Sequence, residues 1–228
     1  MSVDPFSVSP EEAIAFFTAK GYKIGWSWLE TQKEEHSKAF TVAKAMQLDL
    51  LEDIRRAVGD AVKDGQTVRT FAKGLTPLLV ARGWWGEKEQ LNPHTGKLET
   101  VQLGSPRRLR TIFETNLRTS RSAGQWDRIQ RTKAARPYLR YVAHPDARPE
   151  HRAWNNTVLP VDDPWWGTHM PPNGWGCRCK VQQLNDSDVR RYGFHVASQA
   201  PTRPGDETGI GAGWAYNPGE RSGASASL

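Results

Sequence analysis

The chain has 228 residues, with 31 Lys plus Arg against 25 Asp plus Glu, and a net charge of +6. Hydrophobic residues are 37% and charged residues 25%, which excludes a wholly disordered chain. No apolar run approaches the roughly 18 to 20 residues of a membrane helix. The opening MSVDPFSVSPEEAIAFF lacks the basic start and apolar stretch of a secretory signal. Only Cys177 and Cys179 are present, one residue apart, too close for a relaxed disulfide, so a disulfide scaffold is excluded as well.

The first predicted element is a helix. Ser9 caps it, Pro10 takes the first turn, Glu12 completes a capping box, and Gly21 ends it. Tyr22 to Leu29 reads as a loop or short strand. From His36 to Lys63, Phe40, Ala43, Met46, Leu50, Ile54, Val58 and Val62 recur at spacings of three and four, which predicts one long amphipathic helix. Thr67 caps a second helix, and Thr76-Pro77 restarts a short third one that Gly83 closes. The turn signal Asn92-Pro93-His94-Thr95-Gly96 predicts a hairpin between Glu87–Gln90 and Lys97–Leu103.

Ser105-Pro106 opens another helix, running to about Ala135. Between Arg107 and Arg140 there are ten basic and two acidic residues, a local charge of +8. At 100° per residue, Arg107, Arg110, Arg118, Arg121, Arg128 and Arg131 fall in an arc of roughly 140°, with Leu109, Ile112, Ala123 and Trp126 opposite. Such a helix buries one face and offers guanidinium groups on the other, either as a solvated face or as a phosphate-binding one.

Tyr138 to Ala143 alternates like a strand, as does Cys177 to Leu184, and the two are expected to pair. Between them, His144 to Trp175 is dense in Pro, Gly, Asn, Asp, His and Trp. This predicts an ordered but irregular excursion, held by burial of Trp154, Trp165, Trp166 and Trp175. The C-terminal residues, rich in Gly, Pro and Ser, read as a loose tail. The fold class is thus α+β. Residues 1–135 are mostly helical, 136–196 hold a small antiparallel sheet with a long Trp- and Pro-rich loop, and 197–228 form a flexible tail.

The chemistry-bearing residues crowd into the excursion. Alternate residues of a strand share a face, so the sulfurs of Cys177 and Cys179 point the same way, and the strand pairing brings His151 back over them. A structural zinc would use these three, with His169, His144 or Asp163 as fourth ligand. The one-residue cysteine spacing is unusual for zinc, which favours a metal-free arrangement with buried thiols and a hydrogen-bonded His151. A hydrolytic site would instead pair His151 with Asp162 or Asp163. No glycine-rich phosphate loop, HExxH or GxSxG is present to support catalysis.

The segment RPEHRAWNNTVLPVDDPWWGTHMPPNGWGCRC resembles the hallmark of the phage Mu F-like minor head proteins, the head-morphogenesis family of tailed phages. The matching residues are Arg148 and His151, Leu159-Pro160, Asp163-Pro164-Trp165-Trp166, Pro171-Pro172, Gly174-Trp175 and Cys177-Arg178-Cys179. FTVAKAMQLDLLEDIRRAV, GWWG, RRLRTIFETNLRTSRSAG and GWAYNPG are similar to Mu-type members as well. The resemblance implies a non-enzymatic minor capsid protein, made in the host cytoplasm and carried in the virion head. It implies partnership with portal, scaffold or major capsid protein during procapsid assembly, nonspecific contact with phage DNA, no membrane and no cofactor. Arg148, His151, Asp163, Trp166, Pro172, Cys177, Arg178 and Cys179 would be its structural motif residues. A metal-dependent nuclease built on the His/Asp/Cys cluster and a host-directed module delivered with the genome are the rival readings.

Overall fold

The computed structural model describes residues 10–31, 38–202 and 205–220. The fold is α+β, with seven helices and three small sheets among the described residues. None of these helices is long and apolar enough to cross a membrane. The chain forms two compact units, residues 17–117 and residues 1–16 with 118–228. The sequence boundaries at 135 and 196 follow composition, whereas the units follow packing and divide between Leu117 and Arg118.

In the unit of residues 17–117, helix α1 (Pro10–Thr18) delivers Phe17, and strand β1 (Gly21–Tyr22) pairs in parallel with β2 (Ala39–Phe40). Phe17 meets Phe40 edge to face with ring centroids 5.8 Å apart. Ser9, the expected cap of α1, lies outside the described residues, as do residues 32–37. Among the described residues, the long helix expected from His36 to Lys63 is present over its later part as α2 (Leu48–Lys63). Residues 39–47 are extended and turned instead, with Lys44 at φ 64°. Phe40, Val42 and Ala45 are buried there, whereas Ala43 and Met46, assigned to the apolar face, are half-buried and exposed. The periodicity is real only within α2, where Leu50, Leu51, Ile54, Val58 and Val62 are buried.

Thr67 caps α3 (Val68–Ala81), its hydroxyl accepting from the Thr70 N–H at 3.2 Å. Pro77 does not restart a helix as predicted. It sits inside the continuous α3, and the Thr76 hydroxyl donates to the Ala72 carbonyl at 2.7 Å. The predicted hairpin is present as β3 (Glu87–Leu91) and β4 (Leu98–Gln102), with Gly96 at positive φ in its turn.

Helix α4 (Pro106–Thr132) contributes to both units. Leu109 and Phe113 are buried in its first part, and Ala123, Trp126 and Ile129 in its second. In the unit holding residues 118–228, Gly124 lets the first turn of α1 approach. A Cβ there would lie 2.9 Å from the Glu12 Cβ. The sheet of this unit has the order β6 (Val158–Pro160), β5 (Tyr138–Val142), β7 (Lys180–Leu184), all antiparallel. Leu139 and Tyr141 of β5 point into the core, and the residues between them do not, as the alternation predicts.

Three corrections to the sequence reading concern this unit. The third strand, β6, lies inside the stretch expected to be irregular, as do the short helices α5 (Pro149–Ala153) and α6 (Trp166–His169). Strand β7 begins at Lys180, so Cys177 and Cys179 occupy its extended lead-in rather than the strand itself. The tail is packed over residues 205–220: Trp214, Ala215, Tyr216 and Asn217 are buried, and no Cβ would fit at Gly219 against Trp126. Helix α7 (Asp186–Tyr192) follows β7, capped by Asn185 and ended by Gly193 in the left-handed region.

Candidate functional site

The hallmark residues converge on the inner face of the β6-β5-β7 sheet. Trp154, Trp165, Trp166, Tyr141, Leu159, Met170 and both cysteines form one buried cluster. Tyr141 meets Trp154 and Trp165 edge to face at 5.7 and 5.9 Å, and Trp165 meets Trp166 at 4.8 Å. The indole N–H groups of Trp165 and Trp166 are satisfied. The Trp166 Nε1–H donates to the Pro160 carbonyl at 3.0 Å, and the Trp165 Nε1–H donates to Thr202 Oγ1 at 2.7 Å. Trp175 is the exception among the four expected to be buried. It is 42% exposed and leans on Trp214 with centroids 5.1 Å apart.

His151 sits at the centre. Pro149 opens α5 without losing a hydrogen bond, because the first helical N–H has no partner in any case. That single turn drives His151 inward, where it is 1% exposed and stacks on Trp154 at 5.0 Å. Its Nε2 lies 3.0 Å from the Gly209 carbonyl, so Nε2 carries the proton and donates. Nδ1, on the other edge of the ring, faces Cys177 Sγ at 3.7 Å and Cys179 Sγ at 3.8 Å. The convergence expected from sequence is therefore present, although the cysteines precede the strand. The turn from Gly174 to Cys177, closed by the Cys177 N–H on the Gly174 carbonyl at 3.1 Å, aims the sulfurs.

The two thiols are electrostatically linked. Hydrogen bonding with Cys177 draws the Cys179 thiol down to about 4, with His151 and Tyr141 adding to the effect. Hydrogen bonding with Cys179, and then burial, push Cys177 well above the usual thiol range.

The other motif residues brace this centre. Arg148 donates to the Trp175 carbonyl at 3.0 Å, and its guanidinium fills the space where a Cβ at Gly174 would stand. Asp163 Oδ1 accepts from the Trp165 N–H at 2.9 Å, starting the α6 turn. Pro172 is buried after a cis Pro171–Pro172 bond, and Arg178 pairs with Asp146 on the surface. His169 is fully buried, with Nδ1 2.8 Å from Thr168 Oγ1 and Nε2 3.0 Å from Thr202 Oγ1. Burial lowers its pKa to about 4. Both ring nitrogens are thus engaged away from the sulfurs. The hydrolytic pairing of His151 with Asp162 or Asp163 is not assembled: Asp162 pairs with Lys133, Asp163 with a backbone amide, and His151 with Gly209 and the sulfurs.

The arginine face is divided in its behaviour. Arg107, Arg110 and Arg121 are exposed, and Arg118 and Arg128 are half-buried. Arg131 is exposed but tied by ion pairs to Glu12 and Asp127. Arg118 and Arg121 line a cavity of about 370 Å³ with Arg178, Lys180 and His144, floored by Pro171, Pro172 and the two cysteines. Arg108, outside the predicted arc, turns inward. It donates to the carbonyls of Gln102, Leu103 and Ala43 and lies over the Trp84 ring.

The family model described as "Phage Mu protein F like protein" matches residues 52–182, more than half of the chain and all of the hallmark segment. The chain belongs to the phage Mu F-like family. It is 39% identical to the "Putative capsid assembly protein F" of Escherichia phage Mu, over 92% of this chain and 54% of that protein. It is 37% identical to the "Mu-like prophage FluMu F protein" of Haemophilus influenzae, over 86% of this chain and 53% of that protein. The chain thus spans about half the length of these Mu F relatives. No solved structure matches it.

The sequence reading missed two contributors to this Mu F-like centre. Gly209 lies in the segment read as loose tail, and a lone carbonyl leaves no mark in a sequence. Tyr141 was assigned only to the strand. Its hydroxyl, donating to Asn173 Oδ1 at 3.0 Å, ties β5 to the loop that carries the cysteines.

Proposed function

We propose that the chain is a structural component of a tailed-phage head, acting in procapsid assembly beside the portal and touching the packaged DNA without sequence preference. The observation that carries this reading is the hallmark segment. It matches a family whose phage Mu relative is named for capsid assembly, and here it folds into a buried brace rather than an open catalytic cleft. Portal, scaffold and major capsid protein are the partners in this reading, and the virion head is its destination. The DNA part rests on a local charge of +8 between Arg107 and Arg140, with Arg107, Arg110 and Arg121 exposed. Arginine pairs with phosphate through a planar fork, and such contacts position without reading bases.

The experiment is quantitative mass spectrometry of purified procapsids made with and without portal protein. The reading expects the chain in a few copies per procapsid and strongly reduced amounts when the portal is missing. Copy numbers unaffected by the portal would remove the portal part of the proposal. Absence from procapsids of both kinds would remove the head role altogether.

A further inference from the structure

Two sulfurs from Cys177 and Cys179 and a ring nitrogen from His151, at least 26 positions earlier, meet at one buried point. His151 Nδ1 lies 3.7 and 3.8 Å from the two sulfurs, and all three atoms lie within 4.8 Å of one another. A tetrahedral zinc ion, with Zn–S about 2.3 Å and Zn–N about 2.0–2.1 Å, spaces its ligands at about 3.5 Å for N···S and about 3.8 Å for S···S. The observed N···S distances need to close by only about 0.2–0.3 Å to meet that geometry.

The surroundings match what a metal-bound histidine requires. Ligating imidazoles are normally oriented by a hydrogen bond from the remote nitrogen to a carbonyl or carboxylate. His151 Nε2 makes that bond to the Gly209 carbonyl. Trp154 stacks on the ring and fixes its plane.

We propose that His151, Cys177 and Cys179 form a zinc site that staples helix α5 to the lead-in of strand β7. Side chains that could complete a four-residue cage are engaged elsewhere. His169 is held by two threonine hydroxyls, Asp163 by the Trp165 amide, and the His144 ring by Asp146. The three donors instead line a cavity of about 210 Å³ together with His144, Asp146, Arg148 and Trp175. The fourth position therefore faces that cavity and belongs to a water molecule. Through Gly209 the site also holds residues 205–220, so the metal secures three chain segments at once.

The sequence argument against zinc was the single residue between the cysteines. That spacing is unfavourable in the tight knuckles where two to four residues intervene. Here the Gly174–Cys177 turn and the extended lead-in to β7 bring both sulfurs to one side without a knuckle.

The test uses the full chain, purified under reducing conditions without added metal. Elemental analysis is expected to give one zinc per chain. Exchange of zinc for cobalt(II) is expected to produce a thiolate-to-cobalt charge-transfer band and the intense visible bands of a tetrahedral site. Cys179→Ser and His151→Gln are each expected to lose the metal, and a chelator is expected to lower the wild-type melting temperature. The wild-type spectrum keeps the test decisive even if a variant fails to fold. Folded wild-type protein that holds no zinc, gives no cobalt charge-transfer band and melts identically with and without chelator would overturn the proposal.

Discussion

Trp166→Ala probes the packed brace most sharply. The ring is wholly buried, and its indole N–H donates to the Pro160 carbonyl. A buried aromatic side chain removes about 150–250 Å² from water. At about 25 cal/mol/Å² this corresponds to about 4–6 kcal/mol, an upper bound because the unfolded chain already hides part of that surface. Measured truncations of buried Phe and Trp to Ala cost about 3–5 kcal/mol, and the exposed Pro160 carbonyl keeps the Asp163 N–H as a donor, so the lost indole bond adds little. The expected loss is therefore about 4 kcal/mol, a large share of the whole stability of a domain this size. Trp166→Phe keeps most of the apolar volume and should cost about 1–2 kcal/mol. Urea unfolding monitored by near-ultraviolet circular dichroism reads both. A loss below about 1 kcal/mol for the alanine variant, with an unchanged urea dependence, would refute the burial argument and mark the ring as a surface for a partner.

The remaining expectations concern charge. Duplex DNA should bind weakly and with strong salt dependence, and Arg110→Gln, Arg118→Gln and Arg121→Gln together should reduce the log–log slope by about 3 units. An unchanged slope in that triple variant would move the DNA contact elsewhere. His169 is held neutral by burial, with its pKa lowered to about 4 from an unfolded value near 6.5. Between those values the unfolded chain binds a proton that the folded chain does not. Stability contributed by this residue is thus present above pH 6.5 and lost as the pH falls toward 4. His169→Gln should flatten that part of the pH profile of the melting temperature. A variant profile parallel to wild type would show that the histidine is not the group responsible.

Much of the fold was legible in the sequence because its signals were local. The Asn92–Gly96 turn, the Thr67 cap and the β5 alternation each depend on neighbours within a few residues. The failures arose where tertiary packing decided. Phe40, Ala43 and Met46 satisfy a helical period, yet the backbone there is extended and turned, so Val42 is buried and Met46 is exposed. Val158–Pro160 becomes a strand only because β5 is there to pair with it. Residues 205–220 look loose by composition, but Trp214 and Tyr216 supply enough apolar surface to order them. At the site, the meeting of His151 with two sulfurs followed from strand pairing and held even though β7 starts later than expected. Arg131 illustrates the limit of helical-arc reasoning, since its partner Glu12 is 119 positions away in the chain.

The central structural claim is that the Trp-rich segment and residues 205–220 form a packed brace around His151. Amide hydrogen exchange resolved by residue tests it most directly. The Tyr141, Val161, Trp166 and Gly211 amides donate to the carbonyls of Thr157, Pro137, Asp163 and Asn173. They should exchange together and slowly, and all four should accelerate in Trp166→Ala. Exchange of Gly211 at the rate of an unstructured peptide, while Tyr141 stays protected, would contradict the claim and return the C-terminal segment to the status of a tail.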